Sequence, residues 1–374
     1  MKVIIAAAQT GGHINPGIAI ANKIKKENKN AQIMFIGTTR GLENDLVPRA
    51  GFELKTIDAY GINRKISISN IKNMLKTLKG LNEAKKIVKD YKPDIVIGTG
   101  GFICGPVLLA AKKYKIPTLL HESNAFPGVA VKLLSKKVDT IMLAFEDAKK
   151  RLPKAKNLVV TGTPTKIKKV NLTQEQRDKM IKDLGLKSGL PIVLVFGGSQ
   201  GAKSINTTLI DIIKSKSNTN YQIVWASGPK QYDIIKQKLE EEKININKIE
   251  NVKILPYIYN MEEMLNLAHV VISRSGAMTI TEIAITGKPA IFIPFPFATE
   301  NHQEYNAKVL ENVGAAKIIL DKDLNKESLS NVLNEILKDK NELSNMGNNA
   351  NKVAIINVED KIYDEVQKLL NNRK

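Results

Sequence analysis

With 374 residues, 43% hydrophobic and 25% charged, the chain is long enough for two domains that each bury their own core. One cysteine, Cys104, and four scattered histidines leave no disulfide framework and no zinc cluster, which points to a reducing compartment. A formal charge of +20 invites nucleic acid, an anionic membrane or phosphorylated substrates; with aromatics at 5% and no RNA-binding signature, nucleic acid is set aside.

The elements alternate in chain order between apolar strands and amphipathic helices, the pattern of parallel sheets covered on both faces. The first half offers strands at Val3 to Ala8, Gln32 to Gly37, Ile95 to Gly98, Pro117 to His121, Thr140 to Leu143 and Leu158 to Thr161. The opening apolar run meets Thr10-Gly11-Gly12 too early for a signal peptide and reads as a buried first strand, with Pro16 opening the helix after it. No apolar stretch reaches the roughly 20 residues of a membrane-spanning helix. A lysine-rich, aperiodic stretch follows Pro164, and Thr173 to Gln176 reads as a capping box that restarts the pattern. The second series runs Ile192 to Phe196, Gln222 to Ala226, Val252 to Leu255, Val270 to Ser273, Ala290 to Ile293 and Ala316 to Leu320, then helices from about Lys326. The expected fold is α/β, two Rossmann-like domains, at 1–164 and 165–356.

In such sheets ligands bind beyond the carboxyl ends of the strands, so the chemistry is sought in those loops. Thr10-Gly11-Gly12-His13 is either a tight turn or a place where backbone amides approach an anion, and His13 either packs or takes a hydroxyl proton. Gly197 to Ser204 falls one residue short of a Walker A loop, with Ala202 in place of the second glycine; a P-loop ATPase or a nucleotide-binding regulatory protein would use this loop, the ATPase with Asp321 as its magnesium-holding acid. Arg274 to Glu282 is a capped surface helix or a phosphate site in which Thr279 holds phosphate and Glu282 the ribose hydroxyls. His121-Glu122-Ser123-Asn124 fails the H-E-x-x-H metal pattern at Ala125, and Asp321-Lys322-Asp323 reads as a solvated turn. Between Ile66 and Asp90 a stripe of Ile68, Ile71, Leu75 and Leu78 lies beside Lys72, Lys76 and Lys79, fitting either a core-facing helix or one lying on an anionic bilayer.

Taken in order, Thr10-Gly11-Gly12-His13, Gly100-Gly101-Phe102, His121-Glu122-Ser123-Asn124, Gly197 to Ala202, Arg274 to Ala277 and His302-Gln303 resemble the MurG family over essentially the whole chain. The family's members are N-acetylglucosaminyltransferases that convert lipid I to lipid II in peptidoglycan synthesis. The resemblance implies the GT-B architecture, an inverting transfer without metal or cofactor, and a peripheral enzyme on the cytoplasmic face of the cell membrane. It implies an undecaprenyl-diphosphate-linked acceptor on the first domain and UDP-GlcNAc mainly on the second. Carried over by position, Ser199 and the amides of Ala277, Met278 and Thr279 meet the donor diphosphate, Ile258 the uracil, Glu282 the ribose and Gln303 the GlcNAc. Thr10, Gly11, Gly12 and Asn124 face sugar and acceptor, and His13, aided by Glu122, is the base. A last helix near Val358 to Leu370 returns to the first domain. The chain departs from the family pattern at Ala8-Gln9, where two glycines are usual, at Lys166, where an arginine is common, and at Phe102, which lacks a phenolic hydroxyl. A UDP-GlcNAc epimerase sharing the fold is the remoter rival.

Overall fold

The computed structural model describes residues 1–60, 68–246, 249 and 251–372, giving backbone alone over 68–75. The chain forms two compact units, Met1–Thr165 with Ile355–Lys374, and Lys166–Ala354.

The first unit carries strands β1 (Lys2–Ala7), β2 (Gln32–Gly37), β3 (Glu53–Thr56), β4 (Ile95–Gly100), β5 (Thr118–Glu122), β6 (Thr140–Leu143) and β7 (Leu158–Val160). Its helices are α1 (Gly11–Glu27), α2 (Glu43–Arg49), α3 (Ile68–Tyr91), α4 (Cys104–Lys113) and α5 (Val129–Leu134). All strand pairings are parallel, in the order β3-β2-β1-β4-β5-β6-β7. The near-continuous apolar runs follow from burial on both faces. Along β1, Val3, Ile5 and Ala7 join one cluster while Ile4 and Ala6, with Ala8 just past the strand, join the other, the period of two that a strand imposes. At the sheet's edge β3, Glu-Leu-Lys-Thr, has a mostly exposed four-residue pattern that carries no apolar run for a sequence reading to find.

Helix α1 begins at Gly11, so Pro16 lies inside it rather than at its start. The first turn closes because the His13 and Ile14 amides both return to the Thr10 carbonyl; Pro16, lacking an N–H, withholds only the bond that the Gly12 carbonyl would have accepted. Gly17 packs closely beneath it: a Cβ there would meet the side chains of Thr99, Ile5 and Phe35 at 3.1–3.2 Å, and they would have to give way.

The second unit carries α6 (Gln174–Asp183), β8 (Ile192–Phe196), α7 (Lys203–Lys214), β9 (Gln222–Ala226), α8 (Pro229–Glu241), β10 (Val252–Leu255) and α9 (Met261–Leu267). It continues with β11 (Val270–Ser273), α10 (Ala277–Thr286), β12 (Ala290–Phe292), α11 (His302–Glu311), β13 (Ala316–Ile318), α12 (Lys326–Lys338) and α13 (Lys340–Val353). The parallel order is β10-β9-β8-β11-β12-β13. Thr173 and Gln176 make the expected capping box at α6. The single tryptophan, Trp225, is buried and donates to Asn206 Oδ1 (3.0 Å), whose amide donates to the Ser227 carbonyl (2.9 Å), tying the end of β9 to α7.

The last helix, α14 (Val358–Asn371), rejoins the first unit: Val358, Ile362 and Val366 enter the cluster of Ile14, Ile20 and Ile24 on α1, and Lys23 pairs with Asp360.

Candidate active site

Each sheet reverses its strand order once, between β1 and β4 in the first unit and between β8 and β11 in the second. Such switch points open a crevice beyond the strand ends, and the sequence-predicted loops flank both of them.

In the first unit the two flanking loops lock one histidine. His13 Nδ1 lies 3.2 Å from the Ala8 carbonyl and 3.4 Å from Thr10 Oγ1. A carbonyl only accepts, so Nδ1 carries the proton and Nε2 of the neutral ring holds a lone pair. Burial lowers the His13 pKa, opposed by the Ala8 hydrogen bond and the charge of Glu43, which keeps the ring neutral near pH 7. The imidazole rests on Gly100, at φ +131°, where a Cβ would fall 2.2 Å from the ring, and Gly101, at φ +82°, lets the chain pass the Ala8 carbonyl. Thr99 Oγ1 donates to the His13 carbonyl (2.8 Å). Thr10 caps α1 with extended backbone and no side-chain cap, and the first turn holds no acid, so the amides of Gly11 and Gly12 start a helix without a resident anion.

The loop after β5 is organised from within. Glu122 is buried and accepts from the Asn124 amide (2.8 Å), Asn124 Nδ2 (2.9 Å) and the Gly128 amide (2.7 Å). Burial raises its pKa and those hydrogen bonds oppose the rise. Among the described residues no hydrogen bond joins Glu122 to His13. His121 donates through Nε2 to the Gly162 carbonyl (2.9 Å), accepts from Ser123 at Nδ1 (3.3 Å), and burial holds its pKa at about 4, so it is a neutral clamp.

One residue that the sequence reading missed supports this centre. Glu43 is wholly buried and accepts from the Thr38 amide (2.9 Å), Thr38 Oγ1 (2.7 Å) and the Gln9 amide (2.8 Å). Gln9 stands at φ +80°, a left-handed conformation that favours glycine, and Glu43 fastens it there. The only available sequence signal was an acid six residues beyond the end of β2.

In the second unit the Gly197 loop packs against the end of β9. Gly201 has φ +76°, and a Cβ on it would fall 2.1 Å from the Ser227 carbonyl; Ser199 is exposed at the loop's tip. Across the switch point α10 starts at Ala277 with Gly276 as its cap, no side-chain cap and no acid in the first turn, so Ala277, Met278 and Thr279 present amides as a helix N-terminus. Glu282 lies in the second turn of α10, and Ile258 is buried in the loop between β10 and α9. Gln303 Oε1 accepts from the amides of Ser275 (3.2 Å) and Phe295 (2.9 Å), which fixes the side chain so that Nε2 is the end left to donate. Lys166, exposed, is the first residue of this unit.

Asp321 corrects two sequence readings. It is neither a solvated turn nor a magnesium-holding acid: it pairs with Arg274, and Ser204 donates to it (2.6 Å) while accepting from Arg274 (3.0 Å). The serine and the acid of a Walker site are thus spent on each other and on a guanidinium.

The chain matches the glycosyltransferase family 28 N-terminal domain over residues 3–143 and the family 28 C-terminal domain over 192–362. It is 45% identical over 374 residues, covering 100% of the chain and 99% of the relative, to the UDP-N-acetylglucosamine–N-acetylmuramyl-(pentapeptide) pyrophosphoryl-undecaprenol N-acetylglucosamine transferase of Acetivibrio thermocellus. The transferase of the same name from Thermoanaerobacter sp. (strain X514) is 44% identical over 369 residues, 99% of this chain and 100% of that protein. Among solved structures, Acinetobacter baumannii MurG superposes with a TM-score of 0.79 at 30% identity, covering 98% of this chain and 99% of that one. Two family 28 domains in their proper order and relatives aligned end to end place the chain in glycosyltransferase family 28 and, within it, in the MurG family.

Proposed function

We infer that the chain is a hexosyltransferase that moves GlcNAc from UDP-GlcNAc to the 4-hydroxyl of the N-acetylmuramyl residue of lipid I, giving lipid II. The ATPase and epimerase readings fall behind it: the full-length relatives are named as transferases, and the near-Walker loop has no free acid.

His13 is the general base of the inverting step. The observation that carries this assignment is the tautomer: with Nδ1 bound to the Ala8 carbonyl, Nε2 is the basic atom. As the acceptor oxygen attacks the anomeric carbon, its proton passes to Nε2, and the bond from that carbon to the diphosphate oxygen breaks with its electron pair leaving on UDP. The amides of Ala277 to Thr279, together with Ser199, meet the charge of the diphosphate at a helix start that has no acid of its own. Ile258 takes the uracil, Glu282 the ribose and the fixed amide of Gln303 the GlcNAc. On the acceptor side Thr10, Gly11, Gly12 and Asn124 contact the sugar and its diphosphate, with Glu122 holding Asn124 in place. Lys166 keeps a positive charge without arginine's bidentate geometry.

No helix among the described residues is long and apolar enough to cross a membrane. We place the enzyme peripherally on the cytoplasmic face, held to anionic lipid by the basic stripe of α3. The part of that stripe with described side chains supports this: Leu78 is 52% exposed between the exposed Lys76 and Lys79, while Ala84 and Val88 at the other end of the helix are buried. Ile66, Ile68, Ile71, Lys72 and Leu75 lie outside the described side chains.

The test is His13→Ala, assayed with a soluble lipid I analogue. Turnover is expected to fall at least about 100-fold, the scale of general-base loss, with UDP affinity by calorimetry unchanged. Near wild-type turnover would remove His13 from the mechanism and leave the donor assignment standing.

A further inference from the structure

A cavity of about 260 Å³ opens beside the His13 loop, lined by Gln9, Thr38, Arg40, Gly41, Tyr60 and Phe102. These residues come from the loops after β1, β2, β3 and β4, so the cavity sits at the carboxyl end of the sheet near its switch point. None of the established motifs uses Arg40 or Tyr60. The Arg40 guanidinium lies 3.8 Å from the centre of the Tyr60 ring and donates to the Ala59 carbonyl (3.2 Å). The Lys76 ammonium lies 4.4 Å from the same ring and 3.2 Å from its hydroxyl. Among the described residues neither cation has a carboxylate partner. Two cations on one phenol repel each other unless an anion joins them, and a stacked guanidinium offers its remaining donors as a planar fork.

The cavity's own chemistry selects the kind of anion. A phosphate cradle of the helix-start or nest type is built from free backbone amides. Here the Gln9 and Thr38 amides are spent on Glu43, whose carboxylate also disfavours a multiply charged ligand. What remains is a side-chain fork, which pairs bidentately with a carboxylate or a phosphate, and beside Glu43 the singly charged carboxylate is the less repelled of the two. The acceptor named for the relatives carries both anion types, a pyrophosphoryl group and a pentapeptide.

We propose that Arg40, seated on Tyr60 and seconded by Lys76, is a specificity-determining subsite that holds a carboxylate of the acceptor's peptide while the muramyl sugar lies at His13. This rests on the acceptor assignment made above. The test uses the full chain with two soluble short-chain lipid I analogues, one with free peptide carboxylates and one with them amidated. With the free acid, Arg40→Gln is expected to raise the acceptor KM roughly tenfold, the scale of a charged hydrogen bond, with the loss in KM rather than in kcat. Lys76→Gln has a smaller effect, and Arg40→Lys recovers part of the loss. With the amidated acceptor, variants and wild type converge. An equal penalty on both acceptors would assign the anion to the diphosphate and overturn the proposal, as would no penalty on either. Wild-type turnover with an unaffected Arg40→Gln sinks the subsite alone, whereas a wild type inactive on both acceptors sinks the acceptor assignment and the subsite with it.

Discussion

Gly100 carries His13 on its α-carbon, and no other residue fits there. Its φ of +131° is closed to L side chains, and a methyl group would fall 2.2 Å from the imidazole. Gly100→Ala is therefore expected to displace His13, the proposed base, rather than unfold the sheet, cutting kcat at least about 100-fold while UDP binding, which we assign to the other unit, is kept. Loss of both together would mean that the unit had collapsed. The glycines and His13 were legible because a paired-glycine turn at a strand end is a local signal. Glu43, the Gln9 backbone and the tautomer of His13 were not: Gln9 is fastened by an acid 34 residues on, and the ring's tautomer is set by how the Ala8 carbonyl meets the first turn of α1, a three-dimensional relation that residue identities do not spell out. The fate of Asp321 illustrates the same limit, since the Arg274 that neutralises it lies 47 residues away.

At the scale of elements, buried parallel strands announce themselves as apolar runs of four to six residues, and all but one strand could be read from them. The exception, β3, pairs only with β2 at the sheet edge, and its Glu and Lys leave no period to detect. Start signals mislead where backbone geometry overrides them. Proline favours a helix's first turn, yet α1 begins five residues earlier because Thr10 can already cap it. Along α3 the described side chains differ: Gly80 approaches the Asp58 carbonyl so closely that a Cβ would fall 2.4 Å from it, and Ala84 and Val88 beyond the stripe pack inward, while Leu78, the one stripe residue with a described side chain, faces out. Reversing charge at Lys72, Lys76 and Lys79 is expected to weaken binding to anionic vesicles at least about tenfold, at roughly 1 kcal/mol per basic residue, in a flotation assay. Unchanged binding would return the helix to a purely packing role.

For the molecule as a whole, two buried or half-buried histidines make stability depend on acid. His121 in the first unit and His269 in the second both titrate at about 4 when folded, because burial disfavours the charged ring; around His269 the charges of Arg177 and Lys288 add to it. His269 Nδ1 also accepts from the Ile192 amide (3.0 Å), a bond that protonation destroys. Unfolded, each ring titrates near 6.5. The unfolded chain thus binds more protons between those values, so the stabilisation is complete above pH 6.5 and is lost as pH falls toward 4. The unfolding midpoint is expected to drop by roughly 5 °C or more between pH 6.5 and 5. His269→Gln should start lower at pH 7 and lose less on acidification; parallel slopes would exclude His269 as the titrating group.

The return of α14 to the first unit has a consequence for how the polypeptide is made. The second unit is one unbroken stretch, so it can close its core as soon as its last helix leaves the ribosome. The first unit waits: the cluster that joins Ile14, Ile20 and Ile24 of α1 to the sheet stays incomplete until Val358, Ile362 and Val366 have been synthesised. Of the two units, the one translated earlier is therefore the one completed later, and through most of synthesis its unfinished apolar cluster beside α1 is surface that a chaperone would cover.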